Sequence, residues 1–140
     1  MSERAPRARA RLATASVPAL LLGLGVTFGI ATAPASADIL PVTAGDDWST
    51  IAARAKPGDE IVLGEGIHRP AVLEGLAGTP DAPIVIRPAK AGALAEIAPD
   101  REAIKFVDAR HVRVERILVR SARRAGIVVE GTAPDACRDV

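Results

Sequence analysis

The sequence predicts an all-β fold, a right-handed parallel β-helix of about four coils behind an N-terminal capping helix. Three observations predict it. Short apolar runs at Ile61-Val62-Leu63, Ile84-Val85-Ile86, Ile104-Lys105-Phe106 and Ile127-Val128-Val129 recur roughly 20 to 23 residues apart, a spacing in the range of stacked solenoid repeats. A strand this short cannot bury its own apolar face, whereas strands stacked turn on turn share one continuous core. The composition agrees: 49% of residues are apolar, yet Trp48, Phe28 and Phe106 are the only aromatics, so the core is built of Ile, Val, Leu and Ala, which suits narrow stacked strands. Finally, His111 to Arg120 changes phase. Val112 and Val114 point inward, then Ile117 and Val119 do. A straight strand alternates with period two and cannot do this, so a corner is predicted near Glu115-Arg116.

Residues 1–37 read as a signal peptide. Arg4, Arg7, Arg9 and Arg11 open the chain, no charged residue occurs from Leu12 to Ala37, and Ala35-Ser36-Ala37 has the small-residue pattern a signal peptidase cuts. Cleavage is expected before Asp38, and with it export to a secreted, periplasmic or cell-surface location. If uncleaved, the same stretch is long enough to anchor the chain in a membrane. Residues 38–45 form a lead-in, and 46–140 hold the cap helix and first coils. Asp46 to Gly58 carries the signals of a two-turn helix: an aspartate cap, Arg54 and Lys56 in the last turn, and a Pro57-Gly58 stop. Trp48, Ile51, Ala52 and Ala55 share one face, and a helix this short must dock to be stable.

Beyond the helix the chain reads as strand and turn: Ile61-Val62-Leu63 closed by Gly64-Glu65-Gly66, a weaker Ala71-Val72-Leu73, then Ile84 to Arg87 after a Pro- and Gly-rich turn. The stretch from Ala55 through Glu60-Ile61-Val62-Leu63, Gly66-Ile67-His68 and Gly78-Thr79-Pro80-Asp81-Ala82-Pro83-Ile84-Val85-Ile86-Arg87 resembles the N-terminal cap and first coils of pectin-lyase-like β-helix proteins. Among these it is most similar to the alginate lyase and chondroitinase B family of polysaccharide lyases. The resemblance covers about Asp46 to Gly131. It implies β-elimination on uronic-acid polysaccharides, in which Ca²⁺ or Arg neutralises the sugar carboxylate and a base removes the adjacent proton. The family's catalytic residues lie on later coils, so none is carried over, and Ca²⁺ is expected only in a full-length homologue. A leucine-rich repeat would need Asn at a fixed position, and the chain has no Asn. An ordinary sandwich would space its strands more closely.

The net charge of +1 predicts no strongly anionic partner for the molecule as a whole. Candidate substrate contacts are Lys105, the lone lysine in a predicted strand, facing outward in a column with Val85 and Val128, and Arg113, Arg116 and Arg120 of the basic stretch. Outward arginines can hold carboxylates of an acidic polysaccharide by bidentate hydrogen bonds; a charged solvent face is the plainer reading. Interleaved acids and missing aromatics argue against nucleic acid. His68 and His111 have no second ligand at metal spacing, and Asp135 with Asp139 makes only a weak Ca²⁺ candidate. Cys137 is a single thiol in a chain expected to be exported, which points to a partner outside the sequence. Thr132 to Val140 reads as a turn leading into another strand, so missing downstream coils or a capping partner are expected. Two functions follow: the inactive leading portion of a polysaccharide lyase, or a non-catalytic exported β-helix that binds acidic glycans or serves a structural role.

Overall fold

The computed structural model describes residues 36–99 and 101–140; all but the last two residues of the predicted signal segment lie outside them. Ten short strands wind as a parallel solenoid of about four turns. The first sheet has the order β1 (Ile39–Val42), β2 (Glu60–Leu63), β5 (Ile84–Pro88), β8 (Val112–Val114). The second holds β3 (Ile67–His68), β6 (Ala95–Ile97) and β9 (Ile117–Val119), and the third β4 (Ala71–Glu74), β7 (Glu102–Val107) and β10 (Ala125–Glu130). Every pairing is parallel. From β2 onward each turn therefore visits the three sheets in the same order and returns one strand spacing along, about 4.8 Å.

The core is a set of inward columns one residue wide. Ile61 stacks on Ile86, Ile84 on Val112, and Leu73 on Phe106, and of these six side chains all but Val112 are at most 1% exposed. Each fully buried aliphatic side chain contributes about 1.5–3 kcal/mol. The four apolar runs do not form one column, however. The Ile61 and Ile84 runs belong to the first sheet, the Ile104 and Ile127 runs to the third. Turn length also varies, from the 21 residues between Ile39 and Glu60 to the 33 between Ala71 and Ile104. The corners absorb the difference. Between β4 and β5 the segment Thr79–Ala82 folds back on itself through paired backbone bonds of 3.0 and 3.2 Å, outside the stack. Gly78 makes this departure feasible, since a Cβ there would lie 2.4 Å from the His111 carbonyl oxygen and 2.9 Å from the Ile84 nitrogen.

The expected corner is present: β8 and β9 are separated by Glu115 and Arg116, and Arg116 adopts φ 55°. The lead-in is more structured than expected, because Ile39–Val42 pairs with β2 as the first strand. Its register is held by Asp59, a buried carboxylate at the head of β2, which accepts the Asp38 and Lys56 backbone N–H groups at 3.0 and 2.8 Å. The helix α1 is shorter than its sequence signals, Trp48–Ala52, with Asp47 as its N-cap accepting from the Ser49 N–H at 3.2 Å. Arg54 and Lys56 lie beyond its end and supply no charge to its last turn. A five-residue helix has no stability of its own. Packing holds it against β1 and β4, with Trp48 1% exposed and its indole N–H donating to the Arg69 carbonyl at 2.8 Å. Among the described residues no helix is long and apolar enough to cross a membrane.

Candidate functional site

Parallel stacking decides which outward side chains meet, because a residue's neighbours are one turn away rather than nearby in sequence. Lys105 does face outward from β7, but its row is Val72, Lys105, Val128. Val85 lies in the first sheet and is not its neighbour. The weak strand at Ala71–Glu74, not the stronger one at Ile84, precedes β7 in the stack. Lys105 Nζ pairs with Glu130 Oε2 at 2.8 Å. Arg113 projects from the first sheet, with Glu115 as its nearest carboxylate at 3.9 Å. Arg116 sits at the β8–β9 corner beside Arg87 and Lys90, lining a cavity of about 260 Å³. Arg120 follows β9, its Nε 2.9 Å from Glu96 Oε1. These four residues are thus spread over separate faces and do not form one surface.

Two clefts gather polar side chains instead. The first, about 460 Å³, is lined by Pro70, Ala98, Arg101, Glu102, Lys105 and Arg124. It arises where the chain enters β7 and β10: the Arg124 N–H donates to the Arg101 carbonyl at 3.1 Å, placing the two arginines one turn apart. Arg124 Nη1 bonds Glu102 Oε1 at 2.8 Å, which fixes its guanidinium at the cleft wall. Three cationic side chains here line one opening beside one carboxylate. Sequence spacing pointed only to Lys105, since Arg101 and Arg124 become neighbours only through the β7–β10 register.

The second cleft, about 520 Å³, lies on the first sheet between the Thr79–Pro83 corner and β8, with His111, Arg113, Asp139 and Val140 in its lining. Here His111 Nδ1 is 3.0 Å from Asp139 Oδ2. Both residues adopt left-handed backbone, φ 47° and 53°, at the same corner of successive turns, because Arg110 and Arg138 pair as a parallel bridge. The carboxylate orients the imidazole. The sequence offered no sign of this pair, whose members are brought together only by the stacking.

The remaining acids tie corners rather than converge. Asp108, also left-handed at φ 52°, accepts the Thr132 N–H and hydroxyl, both at 2.7 Å; these bonds to the charged form hold its carboxyl below its ordinary value. Asp46 is held low in the same way by the Thr43 N–H. Asp135 and Asp139 are engaged by Arg138, at 3.7 Å, and His111. Among the described residues no three carboxylate, imidazole or thiol groups converge. This donor set does not fit Ca²⁺. Comparison with protein-family models, curated proteins and solved structures finds no match to this chain.

Proposed function

We propose that this chain is an exported right-handed β-helix of the pectin-lyase-like type that binds acidic polysaccharide, its N-terminal segment serving as the signal peptide and α1 closing the first turn as a cap. The observation that carries the reading is the cleft lined by Arg101, Lys105 and Arg124. A sugar carboxylate or sulfate offers oxygens that a guanidinium binds through two parallel hydrogen bonds, and cations one turn apart can engage successive acidic groups of a polymer. The pairing of Arg124 with Glu102 and of Lys105 with Glu130 makes the binding modest and salt-dependent.

The test is retention of the protein on immobilised alginate, pectate and chondroitin sulfate. Replacing Arg101 and Arg124 by Gln is expected to lower the eluting salt on at least one resin, while Arg113→Gln and Arg120→Gln change it less. Equal retention of all variants would remove this reading. A second reading, β-elimination on a uronic acid, is favoured by the other cleft, where Arg113 could face a carboxylate beside the His111–Asp139 pair. Formation of unsaturated uronate, followed by ultraviolet absorbance and lost in His111→Gln, separates turnover from binding alone.

A further inference from the structure

At the corner between the first and second sheets, two connections of unequal length are stacked. Residues 89–94 join β5 to β6, whereas only Glu115 and Arg116 join β8 to β9 one turn on. The Glu115 N–H donates to the Ile86 carbonyl at 2.8 Å, and the Arg116 carbonyl accepts the Ala95 N–H at 3.0 Å. The short corner is thereby pinned against the long one, and the cavity of about 260 Å³ lies beside them, lined by Arg87, Lys90, Gly92, Glu115 and Arg116.

Arg116 is exposed and adopts φ 55°, a left-handed backbone that strains any residue with a Cβ and that glycine adopts freely. The other charged or titratable residues in this conformation, Asp108, His111, Asp135 and Asp139, each have a side-chain partner. Arg116 has no ion-pair partner among the described residues, with no carboxylate within 4.0 Å of its guanidinium, and the same holds for the Lys90 ammonium. Glu115 engages Arg113 instead, at 3.9 Å. The Arg116 guanidinium reaches back over the preceding turn, its Nη1 3.9 Å from where a Cβ on Gly92 would stand. Arg87 is fixed at the cavity wall by its Nε bond to Glu60 at 3.0 Å and its Nη1 bond to the Pro88 carbonyl at 3.2 Å.

We propose that this corner binds a single tetrahedral oxyanion, a phosphate or sulfate group. Arg87 stands on β5, Lys90 on the long corner and Arg116 on the next turn, so the three cations border one volume from different elements. A carboxylate offers two oxygens in one plane, whereas a phosphate or sulfate group presents three or more in different directions, one for each cation. The cavity is smaller than pockets that enclose whole small molecules, so it takes the charged group alone, either free or as the ester end of a larger molecule. The left-handed backbone at Arg116 serves to hold a cation over that cavity. The site is separate from the cleft of Arg101, Lys105 and Arg124 and does not rest on glycan binding there.

The test follows backbone amide NMR shifts of the full chain as chloride is replaced by inorganic phosphate or inorganic sulfate at constant ionic strength. Saturable shifts are expected in residues 90–93 and 115–117. Arg116→Gly relieves the left-handed strain, so it is expected to keep the β circular-dichroism signal and a urea midpoint no lower than wild type, yet to weaken binding about tenfold. Lys90→Gln, at an exposed position, is expected to weaken it about threefold. Titration with a monosaccharide phosphate and a monosaccharide sulfate separates the sources. Tighter binding of an ester identifies the end of a larger molecule, and tighter binding of the inorganic ion a free anion. Shifts that do not saturate, or an affinity unchanged in either variant, would overturn the proposal. Shifts confined to Arg101, Lys105 and Arg124 would also overturn it, while leaving the glycan reading in place.

Discussion

At the β1 end of the coil Val42, Trp48 and Ala52 are at most 2% exposed, whereas at the β10 end Ile127 and Val129 keep nearly half their surface. The side chains are comparable in kind; the neighbours differ. Ile127 completes the column of Ala71 and Ile104, and Val129 that of Leu73 and Phe106, yet neither is buried, since nothing among the described residues stacks beneath. In a solenoid, then, an inward position acquires its burial from the turns above and below. Stability accumulates interface by interface, and an end needs a closing element of its own.

The contrast is most easily broken at Trp48. Trp48→Ala removes the largest buried side chain at the β1 end and the bond to Arg69, and is expected to cost about 3–5 kcal/mol in urea unfolding. A loss below about 1 kcal/mol would mean that α1 adds no closure. Asp59→Ala leaves two backbone donors without their acceptor and is expected to cost about 2–3 kcal/mol, with Asp59→Asn milder because one acceptor oxygen survives. A smaller effect follows at Asp108, whose depressed pKa means that its stabilisation is present above the ordinary carboxylate value of about 4 and is lost as pH falls through the folded value. Asp108→Asn keeps a residue type tolerant of left-handed backbone, so it should fall below the wild type near neutral pH and converge with it on acidification. A gap independent of pH would remove the charge from the account. Smallest of all is Val129→Thr, within about 0.5 kcal/mol, because the side chain is already 46% exposed. A large loss there would show that the β10 end is already sealed.

The fold was legible because period-two alternation is local. The phase change between Val114 and Ile117 requires a corner whatever surrounds it, and the corner is there. Stacking register was not legible. The inserted corner at Thr79–Ala82 lengthens a turn without any mark in the inward columns, so equal spacing in sequence wrongly put Val85 beside Lys105 in place of Val72. β3 and β6, two and three residues long, leave too short an alternation to read. The charged clefts were hidden for the same reason as the register: Arg101 meets Arg124, and His111 meets Asp139, only after the turns have been aligned. Of Lys105, Arg113, Arg116 and Arg120, only Lys105 lines the cleft that also holds Arg101 and Arg124.

The left-handed corners have one further consequence. Asp108, His111, Arg116, Ser121, Asp135 and Asp139 each hold a backbone conformation that glycine adopts without strain. All but Ser121 are charged or titratable side chains. The chain thus tolerates a conformational penalty at its vertices and keeps a polar group on each. Glycine at any of these positions would spare the winding and delete the group, so the vertices can be stripped or re-equipped one by one. For an engineer, they are sockets on a rigid spool, separable from the thread that holds it together.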